Sequence, residues 1–526
     1  MHYGHPDIFD RFFVQTCGSC SKASAGINLS EDVFAGFNCT ARGYSVRHVD
    51  YMQCGKGRDV GLQQVVMFEK KIAGGNAEQM LSRDVFRMAS NMDFFRLLSM
   101  YFSGPGFFLN ALVLFLAVYV TLYVKCLFSF SKHKYKGVTE SALQYVVAPT
   151  TYVQFQFGLL LIVPLLVWLF VEKGFWTALT RSLDIILKLA VAYYNFMVGT
   201  KASVIDHVLI YGGAKYQETG RGFVIAHANM EDLWQFYYFT HFCIGLEMMM
   251  LLIVYAGYCG FDASVYFLDA WPLLVMALSL LFVPFFFNPL GMYYPRLLED
   301  FSSWRKWMSS RDVRHDRASW LAWWRSEMEG RCSLAWHHQL ILVARLLRFT
   351  MLSIGMVSCV AMSIKASDVD CAIYLFGTAG CFLFLMIFLD DLKLASPNWN
   401  TVLSLAFCAI VVMLLGWAMA TDRLTFSAVL ASAGSFMIFS YGLLETSFVL
   451  LGRWAVRNDV LAEAARMFHY LGGFFVFLIP LLLSVFTLSF HKIQTRILFN
   501  PNFVTIVKSG LVQRAEILKK GHKVNT

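Results

Sequence analysis

Charged residues are scarce in this sequence of 526 residues, since Asp, Glu, Lys and Arg together make up 15% of it. Soluble globular domains carry about 25% charged residues. Hydrophobic residues make up 57% of the chain, with 49 Phe and 13 Trp among them. The composition therefore excludes an ordinary soluble domain and predicts a protein embedded in a membrane.

The N-terminus lacks the pattern of a secretory signal peptide, because the polar sequence HYGHPD directly follows Met1. The chain also lacks a basic and aromatic run of the kind that lines nucleic-acid grooves. The net charge of +9 is modest for this length, and in a membrane protein it is typical of cytoplasmic loops and anionic lipid. We therefore expect no nucleic-acid partner.

Paired cysteine motifs are limited to one Cys-X-X-Cys, at Cys17 and Cys20. With Cys39 and Cys54 this motif could be interpreted as a zinc site, but a second Cys-X-X-Cys is missing and the spacing is irregular. Cysteines inside apolar runs, such as Cys359, are typical of small buried side chains. We therefore predict reduced thiols and no metal site.

Long apolar runs dominate the chain after residue 106. A membrane-spanning helix needs about 20 mostly apolar residues. The ten candidate spans are 107–127, 152–171, 183–198, 242–260, 265–287, 340–363, 371–389, 401–420, 424–451 and 469–490. The run 183–198 is short and carries Asp184 and Lys188, so we interpret it as an amphipathic helix that lies in the membrane interface or docks on the bundle.

The loops indicate orientation. Residues 288–339 contain seven Arg and six Trp, which predicts a cytoplasmic segment on the membrane surface. Without 183–198, four candidate spans separate residues 1–105 from 288–339. Because four is an even number, both segments lie on the cytosolic side. If all five candidates after residue 339 also span, the basic tail, 491–526, lies on the opposite side of the membrane. Pro480 and the long run 424–451 make one of these a candidate half-span, and the side of the C-terminus stays open.

The predicted organisation has five parts. The first, 1–105, is a small mixed α/β piece with strand character over Ser45–Gln53 and a helix over Asn76–Ser99. The others are membrane helices over 106–287 with a polar connector at 172–241, the Arg- and Trp-rich segment 288–339, further membrane helices over 340–490, and the tail 491–526. The glycine-rich stretch within Lys201–Gln235 lacks the Walker spacing, so we interpret it as a connector between helices.

Adjacent carboxylates at Glu31 and Asp32 are the best candidates for a general base. Sugar transfer from a nucleotide sugar needs a carboxylate that accepts the proton of the attacking hydroxyl. The alternative is a helix start, with Ser30 as N-cap and the two acids in the first turn. Both can hold, because a helix N-terminus fixes a carboxylate in place.

Positive charge must also stabilise the departing diphosphate, and it can come from Lys and Arg or from a divalent cation such as Mg²⁺. The loop Gly55-Lys-Gly-Arg-Asp59 offers Lys56 and Arg58 on a backbone loosened by glycine. A solvated turn is the alternative interpretation of that loop. Gln79 and Arg83 form a second polar pair that could equally be a helix face, and His5 and Asp7 beside a proline are uninformative by themselves.

The order of these motifs carries a family resemblance. The motifs that carry it include Tyr3-Gly-His-Pro-Asp7, Ile27-Asn-Leu-Ser-Glu-Asp32, Phe34-Ala-Gly-Phe37, Gln53-Cys-Gly-Lys-Gly-Arg-Asp59, Gln79-Met-Leu-Ser-Arg-Asp84, Gly212-Gly-Ala-Lys-Tyr216, Thr219-Gly-Arg-Gly-Phe-Val224 and Pro284-Phe-Phe-Phe-Asn-Pro289. Together they resemble the 1,3-β-glucan (callose) synthases of glycosyltransferase family 48, over roughly residues 1–340. The family usually has Thr-Arg-Gly-Gly where this chain has Thr16-Cys-Gly-Ser19.

The resemblance implies a processive transferase that uses UDP-glucose in the cytosol and exports 1,3-β-glucan through a helical bundle in the plasma membrane. It implies a mainly α fold, in which a polytopic bundle follows a partial GT-A-like α/β glycosyltransferase domain, and a Rho-type GTPase as regulator. Asp32 would occupy the place of the base in processive synthases of the cellulose type, with Glu31 beside it. Lys56, Arg58, His5 and Asp7 would bind substrate or diphosphate. Gln79 and Arg83 would stand near the Gln-x-x-Arg-Trp motif of those synthases, although their spacing is one residue longer and the Trp is absent.

Family members are much longer, so we expect this chain to be a fragment of such a protein or a truncated product that is inactive alone. Two other functions are kept as alternatives. A polytopic transporter or channel predicts ionisable residues along a central path, and the charges noted inside the spans are few: Lys188, Glu247 and Glu445. A non-catalytic membrane subunit of a synthase complex predicts activity only with a partner.

Overall fold

A computed structural model of the chain describes residues 30–45, 61–134, 163–211, 225–258, 263–310, 319–332 and 438–486, apart from a few single positions, together with 491, 492, 494 and 498. Every regular element in these ranges is a helix. Most of the predicted strand Ser45–Gln53 lies outside the described residues. The GT-A-like α/β domain therefore stays a prediction.

The described helices follow one another in a simple order. They are α1 (Glu31–Ala41), α2 (Leu62–Leu81), α3 (Arg83–Met88), α4 (Phe94–Ser103), α5 (Pro105–Lys134), α6 (Phe175–Leu187), α7 (Ala190–Tyr211), α8 (Met230–Tyr237), a π-helical turn (Tyr238–Phe242), α9 (Cys243–Tyr258), α10 (Ala263–Phe286), α11 (Tyr294–Ser309), α12 (Trp320–Cys332), α13 (Arg453–Arg457) and α14 (Asp459–Phe486).

Four helices among the described residues are long and apolar enough to cross a membrane. They cover Pro105–Leu127, Met230–Gly257, Ala263–Phe286 and Asp459–Val485. These confirm the predicted spans 107–127, 242–260, 265–287 and 469–490. Two of the helices begin about three turns earlier than predicted, because polar residues continue the same helix beyond the apolar run. Pro480 lies inside α14, and the helix continues on both sides of it.

The predicted amphipathic helix over 183–198 is wrong as a single element. Two helices, α6 and α7, meet there at a bend of 55°. Leu189, between them, has a φ of 57°, a left-handed conformation that a helix interior does not accommodate. The pair is either one broken span or a re-entrant loop.

Two further boundaries differ from the prediction. The single helix expected over Asn76–Ser99 is divided into α2, α3 and α4, because Ser82 has an extended backbone that ends α2 and α4 starts anew after Asp93. The predicted polar connector Lys201–Gln235 is shorter than expected, since α7 continues to Tyr211 and α8 begins at Met230. The candidates 340–363, 371–389 and 401–420 lie outside the described residues, as do most of 152–171 and 424–451.

The main core joins the Trp-rich helices to α14, the last of the described helices. Trp304, Trp307, Trp320, Trp323 and Trp324 of α11 and α12 are all buried there, against residues of α8 and α14. The Trp304 ring contacts the Trp234 ring with 5.9 Å between centroids. These side chains therefore pack inside the protein, and the placement of 288–339 on the membrane surface stays a prediction. Their apolar rings are hidden by tertiary contacts that the local sequence does not reveal.

Candidate functional site

Asp32 lies in the first turn of α1, and its side chain is exposed. Its Oδ1 accepts a hydrogen bond of 2.9 Å from the backbone N–H of Val33. The backbone carbonyl of the buried residue Ser30 accepts from the N–H of Phe34 at 3.0 Å. The interpretation of Glu31-Asp32 as a helix start is therefore confirmed. A general base at Asp32 is compatible with it, because the carboxylate is held near the helix N-terminus and faces solvent.

The apolar face of α1 packs against α3. Phe34 and Phe37 are buried with Met88 in one small cluster, and the two Phe rings meet edge to face with 5.7 Å between centroids. Arg83 is the first residue of α3 and is exposed. The structure thus joins the helix that carries Asp32 to the helix that carries Arg83.

Gln79 does not share the environment of Arg83. It lies in the last turn of α2, where it is buried. Its carbonyl accepts from the backbone N–H of Ser82 at 3.1 Å, where the helix ends. The helix ends at Ser82, between the two residues. Gln79 is therefore buried while Arg83 is exposed, and they do not form one polar face.

Several predicted site residues fall outside the description. His5, Asp7, Lys56 and Arg58 belong to undescribed segments, as do Cys17 and Cys20, and the side chain of Glu31 is not described. Within the described residues no group of His, Cys, Asp and Glu could hold a metal ion. The contribution of the 55–59 loop therefore stays a prediction.

A charged seam joins α2 to the membrane helices, and the sequence interpretation missed it. The Lys201 ammonium lies 3.3 Å from the Glu69 carboxylate and 4.5 Å from the centroid of the Phe107 ring. The neighbouring Lys70 has its Nζ 4.4 Å from the centroid of Phe236. Burial lowers the pKa of Lys70 to about 8. This seam ties the helix between the two predicted phosphate motifs to α5, α7 and α8.

A second missed group lies inside the membrane helices. Lys125 of α5 pairs with Asp269 of α10 at 2.5 Å, and the hydroxyl of Tyr255 donates to Asp269 at 2.8 Å. Nearby, Tyr123 donates to Glu247 at 2.6 Å. Glu247 was noted as a charge within a span, but its partners lie more than 120 residues away in sequence. No local pattern could have identified them.

A buried histidine marks the π-helical turn. The Nε2 atom of His241 lies 3.0 Å from the hydroxyl of Thr200 on α7, and the His241 ring stacks on Phe196 with 4.0 Å between centroids. Single π turns inside α-helices are frequent at functional sites. Sequence patterns do not distinguish such a turn from an ordinary helix.

A family model described as 1,3-beta-glucan synthase component matches residues 1–433. Among curated relatives from Arabidopsis thaliana, Callose synthase 7 is 35% identical over 531 residues, which is 96% of this chain and 26% of that protein. Callose synthase 5 is 34% identical, over 96% of this chain and 27% of its own length.

The chain spans about a quarter of the length of these curated relatives. The match nevertheless covers 96% of this chain. The ordered motifs of the N-terminal region and the apolar helices that follow them are therefore features of one family. The chain belongs to the 1,3-β-glucan synthase component family.

Proposed function

We propose that this chain supplies catalytic and channel parts of a 1,3-β-D-glucan (callose) synthase. In this proposal, glucose is transferred processively from UDP-glucose on the cytosolic side, and the product crosses the plasma membrane through the helical bundle. The similarity to callose synthases supports this class of product. A GTPase of the Rho type would regulate the complete enzyme.

The observation that carries the proposal is the placement of Asp32. The residue is exposed in the first turn of α1, and α1 packs on α3, whose first residue Arg83 is also exposed. A carboxylate that faces solvent can accept a proton from an acceptor hydroxyl, and a guanidinium can stabilise a departing diphosphate. Only α4 stands between α3 and the membrane-spanning α5, so product would form close to the membrane.

In this mechanism Asp32 takes the proton from the attacking glucan hydroxyl while the bond between glucose and UDP breaks. Arg83, with Lys56 and Arg58, balances the charge on the leaving diphosphate, and His5 and Asp7 contact the substrate. Gln79 supports the helix end next to Arg83. A divalent cation such as Mg²⁺ would supply additional charge at the diphosphate if it binds there.

The test replaces Asp32 with Asn. Membranes containing the chain, with and without the portion of a callose synthase that it does not cover, are given radiolabelled UDP-glucose. Product is scored by its sensitivity to 1,3-glucanase. We expect Asp32→Asn to lower product formation by about 10² to 10⁴-fold, the usual contribution of a general base.

The matched control is Asp93→Asn, since Asp93 is, like Asp32, an exposed acid at the start of a helix. Normal product from Asp32→Asn would remove Asp32 from the mechanism. Activity that appears only with the added portion, and that survives Asp32→Asn, would favour the non-catalytic subunit. Tracer flux through liposomes without nucleotide sugar would favour the transporter or channel.

A further inference from the structure

The short segment before α8 is fastened to the turn between α10 and α11 through His227. The Nδ1 atom of His227 lies 2.5 Å from the carbonyl oxygen of Pro289. Its Nε2 atom lies 2.8 Å from Oδ2 of Asp300 on α11. The side chains of His227 and Asp300 are 11% and 6% exposed, so water competes little for these bonds. We call this arrangement the His227 latch.

Both partners of the imidazole ring are acceptors. A backbone carbonyl can only accept, and an ionised carboxylate can only accept. A neutral imidazole has one N–H donor, whereas the imidazolium has two. Both hydrogen bonds of the latch therefore form together only when the His227 ring carries both protons, unless Asp300 is itself protonated. That exception is disfavoured because the Arg296 Nε lies 3.4 Å from Oδ1 of Asp300 and favours the carboxylate.

Charged side chains lie on both helices next to the latch. On α11, Arg296 pairs with Glu299 and with Asp300, and the first turn of α8 carries Glu231 and Asp232. Gln494, which donates to the carbonyl of Phe286 at 2.6 Å, adds no charge.

We propose that the His227 latch is a pH-sensitive fastener between residues 225–229 and residues 288–300. It is closed while the ring carries two protons. When the ring loses one proton, one nitrogen faces an acceptor without a hydrogen, and that bond is lost. The segment then opens as pH rises and the ring loses its second proton.

One backbone amide reports directly on the latch. The N–H of Ala228 donates to Oδ1 of Asn288 at 3.0 Å, and the side-chain NH₂ of Asn288 donates to the carbonyl of Ala228 at 2.8 Å. These bonds join the same two segments as His227 does. The exchange of the Ala228 amide hydrogen should therefore follow the state of the latch.

The experiment is hydrogen–deuterium exchange of the full chain in detergent micelles between pH 5.5 and 8.5. Peptides covering residues 225–232 are followed by mass spectrometry, and the rates are divided by the intrinsic chemical rates. We expect protection to fall by about tenfold across this range, as loss of one charge-assisted hydrogen bond implies. The amide of Leu297 in α11, bonded to Tyr293 at 2.9 Å, should stay protected, which distinguishes latch opening from unfolding.

Two variants give opposite signatures. His227→Gln has a single donor group and should show low protection at every pH. In Asp300→Asn, the side-chain NH₂ of the new Asn can donate to Nε2 of the neutral ring, while Nδ1–H still donates to the carbonyl of Pro289. The protection of the Ala228 amide should therefore persist at high pH. His207→Gln is the control, because His207 is exposed on α7, and it should behave like the wild type.

Protection in the wild type that does not change with pH would overturn the proposal. So would a pH dependence that survives in His227→Gln, or one that disappears in His207→Gln. The wild-type profile needs no substitution, so a variant that fails to fold leaves the test intact.

Discussion

The ammonium of Lys125 lies 2.5 Å from the carboxylate of Asp269, and both side chains are buried between membrane-spanning helices. The hydroxyl of Tyr255 donates to the same carboxylate, so residues of α5, α9 and α10 meet at one charge. Ionisable residues in membrane helices usually pair with one another and face the bundle interior. This pair therefore fixes how the three helices pack.

We predict that Lys125→Ala destabilises the protein by about 3–5 kcal/mol, because it leaves the Asp269 carboxylate buried without its cation. The exchanged pair Lys125→Asp with Asp269→Lys should recover part of that loss. Thermal unfolding in detergent measures both variants. Equal melting temperatures for wild type and Lys125→Ala would mean that the pair does not hold the helices together.

Close packing between α11 and α14 predicts a strong effect at Gly473. A Cβ placed there would overlap the ring of the buried residue Trp304. Gly473→Ala should therefore lower stability by about 1–3 kcal/mol, the usual range for overpacking a core.

The matched control for Gly473 is Gly36→Ala in α1, where nothing lies within 4 Å of the new Cβ. Alanine is a better helix former than glycine by about 1 kcal/mol, so this change should be neutral or stabilising. Thermal unfolding of the two variants side by side provides the measurement. An equal effect of both substitutions would contradict the packing argument.

Stability should depend on pH through Lys70. Burial lowers its pKa to about 8 from the ordinary value of 10.5, so the unfolded chain holds the proton more tightly than the folded one. Between these two values the unfolded state binds more protons, and stability therefore rises with pH. Below about pH 8 the charged ammonium costs folding about 2 kcal/mol, after allowance for partial exposure.

Lys70→Met should raise the melting temperature near pH 7.5 and flatten its increase up to pH 9.5. The substitution keeps an unbranched side chain of similar length, while it removes the ammonium that lies over the Phe236 ring. A slope that is unchanged in the variant would assign the pH dependence to another group.

The proposed role of Arg83 can be separated from general effects of charge on α3. Arg83→Ala should lower glucan synthesis by about 10²-fold, as loss of one stabilising donor does. Arg87 is exposed on the same helix, and Arg87→Ala should leave synthesis within a few-fold of wild type. The measurement is incorporation of labelled glucose into product sensitive to 1,3-glucanase. Equal losses in both variants would indicate damage to α3 and no specific role for Arg83.

Much of the fold could be predicted from local sequence. The four confirmed spans are apolar for about 20 residues, and such a run must form a helix in lipid because its backbone has no other hydrogen-bond partner. The start of α1 at Glu31 follows from Ser30 and the two acids. The predictions that were wrong concern helix boundaries, as at Ser82 and Leu189. A single residue with non-helical backbone angles ends a helix there, and the composition of the surrounding sequence does not indicate it.

The candidate site was also predictable only where it depends on local sequence. Ordered motifs pointed to the family before any comparison, since Asp32 and Arg83 each lie in a short local pattern. Their relation to each other depends on Phe34, Phe37 and Met88, which join two helices about 50 residues apart. The buried Gln79 was expected beside Arg83 and is not, because a helix end lies between them.

The amino-acid sequence by itself determined that this protein lies in a membrane, which stretches form the four described spans, and to which family it belongs, because those properties reside in runs and motifs of neighbouring residues. Only the tertiary structure decided that Lys125 meets Asp269, that the Trp residues of α11 and α12 are core, and that His227 joins Pro289 and Asp300. These contacts connect residues that are 60 to 150 positions apart. Such partners are chosen by the packing of whole helices, and packing depends on shape and burial over the entire bundle.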